Sequence, residues 1–173
     1  MVKFVNAELD GSLVGVEIGV GRGANAKNIL ENLNIDMLYL IDPYKPYVDD
    51  DGKTKNYSDF LPQVRADLSI ANVVFILKES GEAVDEVPDN VDFVYIDGNH
   101  SYEYVKKDIE LYYPKVRRGG VIGGHDFIRP VRYSVCPHCM SNLSAIHTAV
   151  LEFVREHSLK LHTGNSDWWI KKS

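Results

Sequence analysis

Apolar residues along the chain follow two rhythms. Short apolar runs of strand length are bounded by glycine, proline or acidic residues: Leu13 to Ile18 (LVGVEI), Met37 to Ile41 (MLYLI), Asn72 to Leu77 (NVVFIL), Val91 to Ile96 (VDFVYI) and Val121 to Gly124. Between them lie stretches of helical period. Ala24 to Leu33 places Ile29, Leu30 and Leu33 on one face, and Ser58 to Leu68 and Ser80 to Glu86 read as shorter helices. Pro62 leaves the start of the first of these open, because proline suits only the first turn. After Ser101, a residue able to cap a helix, Val105, Ile109 and Tyr112 align. Ser144 to His157 aligns Ile146, Val150, Phe153, Val154 and His157. Leu159 to His162 and Trp168 to Lys171 are two further strands, and the short turn Thr163 to Ser166 makes them an antiparallel hairpin. Lys45 to Asn56 reads as a solvated polar loop and Pro130 to Ser141 as irregular chain. Seven strands, five of them joined by helical crossovers, predict a doubly wound, Rossmann-like α/β sheet.

The chemistry gathers where these strands end. After Ile18 come three glycines at alternate positions, Gly19, Gly21 and Gly23, leading into the first helix. Without a Cβ, such a turn is tight and lets a ligand lie against the backbone. Strand, glycine turn and helix N-terminus form the nucleotide-cofactor cradle of an open α/β sheet. Glu17 stands two residues before the first glycine. An acid there suits a cationic group or a hydroxyl better than a pyrophosphate. Asp42 ends the second strand, about twenty residues past the glycines, where an acid of this fold bonds ribose hydroxyls. Tyr44 is then a candidate for packing on an adenine edge, and Glu79 and Ser80 follow the third strand on the adenine side. Asp97 ends the fourth strand and His125-Asp126 the fifth, so the two carboxylates can converge and suit a hard cation. His100 follows Asp97 by three residues and is placed to move a proton.

Composition narrows the class without changing this picture. The 173 residues, 45% hydrophobic and 25% charged, suit one soluble domain. A formal net charge of −6 disfavours a nucleic-acid surface. No apolar run of about eighteen residues is present to span a membrane, and the N-terminal MVKFVNAELDGSL lacks a signal-peptide core. The expectation is therefore a cytoplasmic protein with neither a nucleic-acid nor a membrane partner.

The pattern Glu17-x-Gly19-x-Gly21-x-Gly23, Asp42, and the segment VDFVYIDGNHSYEYVKKDIELYYPKVRRGGVIGGHDF together resemble the class I S-adenosylmethionine-dependent methyltransferases. The nearest likeness is to the small-molecule O-methyltransferase branch that acts on macrolide and aminocoumarin sugars. The resemblance spans Val14 to Phe127, and the tail DWWIKK is similar to the last strand of that family. It implies a sheet of order 3-2-1-4-5-7-6 with strand 7 antiparallel, and S-adenosylmethionine held by Glu17, the three glycines, Asp42, Tyr44, Glu79, Ser80 and Asp97. It further implies methylation of a small-molecule or sugar hydroxyl. A divalent metal at Asp97, His125 and Asp126 would assist, with His100 and Asp97 catalytic. Relatives carry an acid or amide where His125 stands, so manganese or zinc joins magnesium as the expected ion. The family's N-terminal capping helices are not evident, which leaves enclosure of the acceptor to the Pro130 segment or a partner subunit, a homo-oligomer included.

Cys136-Pro-His-Cys139 matches a thiol-disulfide redox motif but lies outside a thioredoxin-like context. It also offers half a zinc site. The reading adopted is a reduced pair in a loop beside the active site. Two other functions stay open: a nicotinamide-dependent oxidoreductase, which Glu17 and the terminal hairpin disfavour, and an S-adenosylmethionine-binding module without turnover.

Overall fold

The computed structural model describes residues 1–48, 54–69, 71–127 and 137–173. In chain order the elements are α1 (Val2–Glu8), β1 (Leu13–Ile18), α2 (Ala24–Asn32), β2 (Ile35–Ile41), β3 (Tyr47–Val48), β4 (Thr54–Lys55), α3 (Leu61–Asp67), β5 (Val73–Ile76) and α4 (Ser80–Ala83). Then follow β6 (Val91–Ile96), α5 (Tyr102–Tyr112), β7 (Val116–Gly124), α6 (Pro137–Glu156), β8 (Leu161–Gly164) and β9 (Asp167–Lys171). Single 3-10 turns at Ser58–Phe60 and Val84–Glu86 flank α3 and α4.

Seven strands form one sheet in the order β5-β2-β1-β6-β7-β9-β8, and β9 runs antiparallel to both its neighbours. Numbered along this sheet alone, the strands run 3-2-1-4-5-7-6 with the seventh antiparallel, as expected. Side chains alternate across the pleat and so feed two cores. On β6, Val94 and Ile96 join one core with Ile109 of α5 and Val150 and Phe153 of α6. Phe93 and Tyr95 join the other with Val5 of α1, Ile29 of α2 and Val64 of α3. Both faces of β6 are therefore covered, which is why Phe93 to Ile96 read as an unbroken apolar run rather than an alternating one. Each such buried side chain stabilises the fold by about 1.5–3 kcal/mol.

Four elements depart from expectation. The N-terminus is helical: Val2, Val5 and Leu9 recur at helical spacing and bury against α2. Within the stretch expected as loop, Tyr47–Val48 and Thr54–Lys55 pair as a small antiparallel hairpin. Strand β7 begins at Val116, but its register jumps between Val91↔Val116 and Phe93↔Val121. The RRGG segment is thus an excursion within the strand, turned by Gly119 at φ 76°. Helix α6 begins at Pro137, seven residues before the expected Ser144. Proline at the first helical position has its φ preset and gives up only an N–H that no helical carbonyl would accept. Cys139 therefore belongs to a helix and not to a loop, whereas Cys136 and Pro130 lie outside the described residues. No helix among the described residues is long and apolar enough to cross a membrane.

Register positions the site. Ile18 of β1 pairs with Ile41 of β2 and Ile96 of β6, Ile96 with Gly124 of β7, and Ile41 with Ile76 of β5. The residues that leave these strands are held level by ladder continuations. Gly19 N–H donates to the Ile41 carbonyl at 2.9 Å, Asp97 N–H to the Ile18 carbonyl at 2.7 Å, and His125 N–H to the Ile96 carbonyl at 3.1 Å. Gly19, Asp42, Asp97 and His125 consequently emerge side by side on one edge.

Candidate functional site

Along that carboxyl edge runs a cleft of about 630 Å³, lined from Glu17 and the glycine turn, past Asp42, to Glu79, Ser80, Asp97, His100 and Asp108. Its first wall is the glycine turn. Gly19 has φ 84°, and a Cβ on it would come 2.2 Å from the Asp97 carbonyl oxygen, so β1 and β6 can approach this closely only at glycine. Asp42 fastens the turn. Its Oδ2 accepts from the backbone N–H of Val20 (3.0 Å) and Gly21 (2.9 Å), and its Oδ1 accepts from Tyr44 N–H (2.8 Å). A carboxylate offers about four acceptor sites, so one is left for a ligand hydroxyl.

Glu17 is 1% exposed. Asn25, in the first turn of α2, donates to its Oε1 at 3.0 Å, while Oε2 is buried without a partner among the described residues. Burial pushes this carboxyl up to about 8; the Asn25 bond opposes the shift, and the charges of Asp97 and Asp42 add to it. A buried acid with an unused oxygen on a cleft wall is built for a donor that is absent from the chain itself. A cationic ammonium meets that need and returns the carboxylate to its charged form.

Two of the expected residues stand elsewhere. Tyr44 is buried at φ 48°, and its hydroxyl donates to the Gly21 carbonyl at 3.0 Å. It braces the glycine turn from behind and does not line the cleft. Gly23, at φ 75°, is the N-cap of α2 and faces Val64, outside the lining.

Beyond β6, Asp97 and His100 line the cleft and Asp126 stands behind them outside its lining; the three each present one donor atom within 4.8 Å of the others. The ring of His100 lies between the acids: Nε2 is 3.3 Å from Asp97 Oδ1 and Nδ1 is 3.5 Å from Asp126 Oδ2. The Asp97 hydrogen bond raises the proton affinity of His100; burial and the charge of Lys55 oppose this, and the charges of Asp126 and Asp97 reinforce it. His125 falls outside the group. Its Nδ1 contacts Asp126 Oδ1 at 2.9 Å, the oxygen turned away from His100. Asp126 takes a left-handed backbone, φ 55°, so the chain breaks from the strand between the strand end and the converging carboxylate. The donor set brought together is thus Asp97, His100 and Asp126, with His125 as a partner of Asp126. Ser101 is the N-cap of α5, but its side chain makes no cap bond; the Asn99 side chain instead accepts from Ser101 N–H at 3.0 Å.

The third end of the cleft holds Glu79, exposed, and Ser80. Ser80 bonds a residue that sequence reasoning missed, Asp108 of α5, 2% exposed and pushed up to about 6 by burial. The signal was present: Asp108 sits inside the stripe of Val105, Ile109 and Tyr112, where an acid has no packing reason to be. Asn25 was missed for lack of any sequence signal linking it to Glu17.

A family model described as a methyltransferase domain matches residues 16–127. The chain therefore belongs to the methyltransferase-domain family, and its sheet is that of the class I enzymes. A curated relative, uncharacterized protein R132 of Acanthamoeba polyphaga mimivirus, is 32% identical over 120 residues, covering 66% of this chain. The chain spans about half of that relative, 52% of its length. Among solved structures, the S-adenosylhomocysteine-bound methyltransferase PaMTH1 of Podospora anserina aligns with TM-score 0.67 at 11% identity, over 92% of this chain and 71% of that one. The O-methyltransferase NovP aligns with TM-score 0.64 at 19% identity, over 99% and 79%. At these identities the structural likeness speaks to the fold alone.

Proposed function

We propose that the protein transfers a methyl group from S-adenosylmethionine to the oxygen of a small-molecule hydroxyl, with assistance from a divalent ion. The observation that carries this reading is the unpartnered Oε2 of Glu17, buried beside a turn whose Gly19 admits no Cβ. That pairing suits the ammonium end of an amino-acid-bearing nucleoside and sets a buried acid where a nicotinamide dinucleotide would bring its pyrophosphate.

Glu17 would hold the ammonium, the turn at Gly19 and Gly21 the methionine chain, and the spare acceptor site of Asp42 a ribose hydroxyl. The bound cofactor supplies an electrophilic methyl group, and a divalent ion supplies positive charge that favours the ionised acceptor. The remaining work falls to the chain. Asp97 and Asp126 offer hard oxygens to the ion. His100, with Nε2 toward Asp97 and Nδ1 toward Asp126, would take the acceptor's proton on a nitrogen whose carboxylate has turned to the ion. The overall negative charge, −6, favours a small molecule over a nucleic acid as acceptor.

Imidazole can serve as ligand or as base, and the choice of metal separates these uses. With His100 as the base, magnesium suffices, since only carboxylates and water meet the ion. With His100 as a ligand, manganese or zinc supports turnover better than magnesium. The test is methyl transfer from labelled S-adenosylmethionine to a panel of sugar and phenolic hydroxyls, after chelation and then with each ion restored. Turnover that is complete in chelator rejects the metal. Methylation of RNA in place of the panel rejects the small-molecule acceptor.

A further inference from the structure

We infer that Asp108 selects the cofactor's base, by accepting a hydrogen bond from the exocyclic amine of adenine. This rests on the proposed use of S-adenosylmethionine and adds the residue that discriminates one purine from another.

Position comes first. Asp42 ends β2, and β5 is the next strand outward, paired Ile41↔Ile76. A nucleoside whose ribose meets Asp42 must lay its base toward the residues that follow β5, namely Lys78 to Ser80. Helix α5 packs across α4 there and lines the cleft with Tyr104 and Asp108, of which Asp108 is the one that bonds Ser80.

The bonding is incomplete in a directed way. The Ser80 hydroxyl donates to Asp108 Oδ1 at 2.5 Å, and the Tyr112 hydroxyl donates to the Ser80 carbonyl at 2.7 Å. These two bonds latch α4 to α5. Among the described residues Ser80 is the one hydrogen-bond donor to Asp108, so most of a carboxylate's roughly four acceptor sites stay open in a residue that is 2% exposed. A latch alone does not call for an acid. An amide or hydroxyl would accept from Ser80 without the cost of burying charge, which Lys107 only partly relieves.

An ionised carboxylate accepts and never donates. Adenine presents an amine donor at its six position, whereas a 6-oxo purine presents an acceptor. Against the first, Asp108 gains a charge-assisted bond; against the second, it faces another lone pair. Glu79 is the competing acid, but it is exposed, so water weakens any bond it makes.

The test measures equilibrium affinity for three ligands: S-adenosylhomocysteine, its deaminated form S-inosylhomocysteine, and the analogue with an unsubstituted purine. Wild type should prefer the adenine form over both by about tenfold or more, the worth of a bond to a charged group. Asp108→Asn, whose amide both donates and accepts, should bring the adenine and 6-oxo forms near to equality while unfolding at an unchanged or higher temperature. A purely structural latch would leave the preference untouched. Equal binding of the three ligands by wild type overturns the inference and requires no variant to fold. So does a preference that survives in Asp108→Asn, or one that vanishes in Glu79→Gln instead. Failure of wild type to bind S-adenosylhomocysteine at all overturns the cofactor reading together with this one.

Discussion

The two ends of the cleft are built to different standards. At the β1–β2 end, a buried carboxyl is bonded to Asn25, and a glycine-rich turn is fastened by three backbone N–H bonds to Asp42 and braced from behind by Tyr44. At the β6–β7 end, the partly exposed His100 stands 3.3 Å from Asp97 and 3.5 Å from Asp126, and their backbone supports are loop and strand termini. The first end is an extension of the sheet ladder, and its geometry is as fixed as the sheet. The second is adjustable, held by side-chain contacts at the outer limit of hydrogen bonding. In the proposed function the fixed end would take the cofactor and the adjustable end the acceptor.

The comparison breaks most sharply through catalysis. His100→Ala should reduce turnover by roughly 10²–10⁴-fold, the usual cost of losing a general base, with S-adenosylhomocysteine affinity nearly unchanged. Comparable losses of turnover and affinity would mean that the two ends are one unit. Gly19→Ala attacks the rigid end. The Cβ would sit 2.2 Å from a backbone oxygen at φ 84°. Left-handed strain and overpacking together should cost about 2–4 kcal/mol, read as a fall in chemical-denaturation midpoint. A neutral result would show the turn to be softer than its bonds suggest. Asp42→Ala should weaken cofactor binding by about tenfold or more, in line with ~1.5–3 kcal/mol for a bond to a charged group, and should also loosen the turn. Retained affinity in calorimetry would reduce Asp42 to a structural fastener.

The smallest effect is in pH. Glu17 is pushed up to about 8 in the folded chain from an ordinary 4.5. Between those values the folded state binds more protons than the unfolded, so stability without ligand falls as pH rises through this window, by at most about 1.4 kcal/mol per unit. The stabilisation is whole below pH 4.5 and gone above 8. A cation at Oε2 reverses the trend, so the melting shift caused by S-adenosylhomocysteine should grow with pH. Glu17→Gln should flatten both curves; an unchanged slope in that variant would place the titration elsewhere.

What could be read in the sequence follows the same division. Strands, the glycine turn, Glu17 and Asp42 were legible because each is set by local pattern, whereas the strand order came from the family resemblance and not from any local pattern. The cluster of Asp97, His100 and Asp126 was legible only in part. Asp97 and Asp126 were placed by strand ends, but the preference for His100 over His125 depends on the left-handed turn at Asp126, which no local pattern announces. Tyr44 was misplaced for a similar reason: a positive φ turns its ring behind the Gly21 carbonyl. Helix α1 was legible in Val2, Val5 and Leu9 but is too short to stand out from the chain around it. Asp108 was written plainly as an acid on an apolar face, and only the fold shows that this face meets Ser80.

The most direct measurement of the central claim is a calorimetric titration of the chelated protein with S-adenosylhomocysteine and, in parallel, with NAD. The account predicts saturable binding of S-adenosylhomocysteine without any metal, since the rigid end is complete in itself, and no heat with NAD. Absence of binding at millimolar S-adenosylhomocysteine, or binding of NAD in its place, would contradict it.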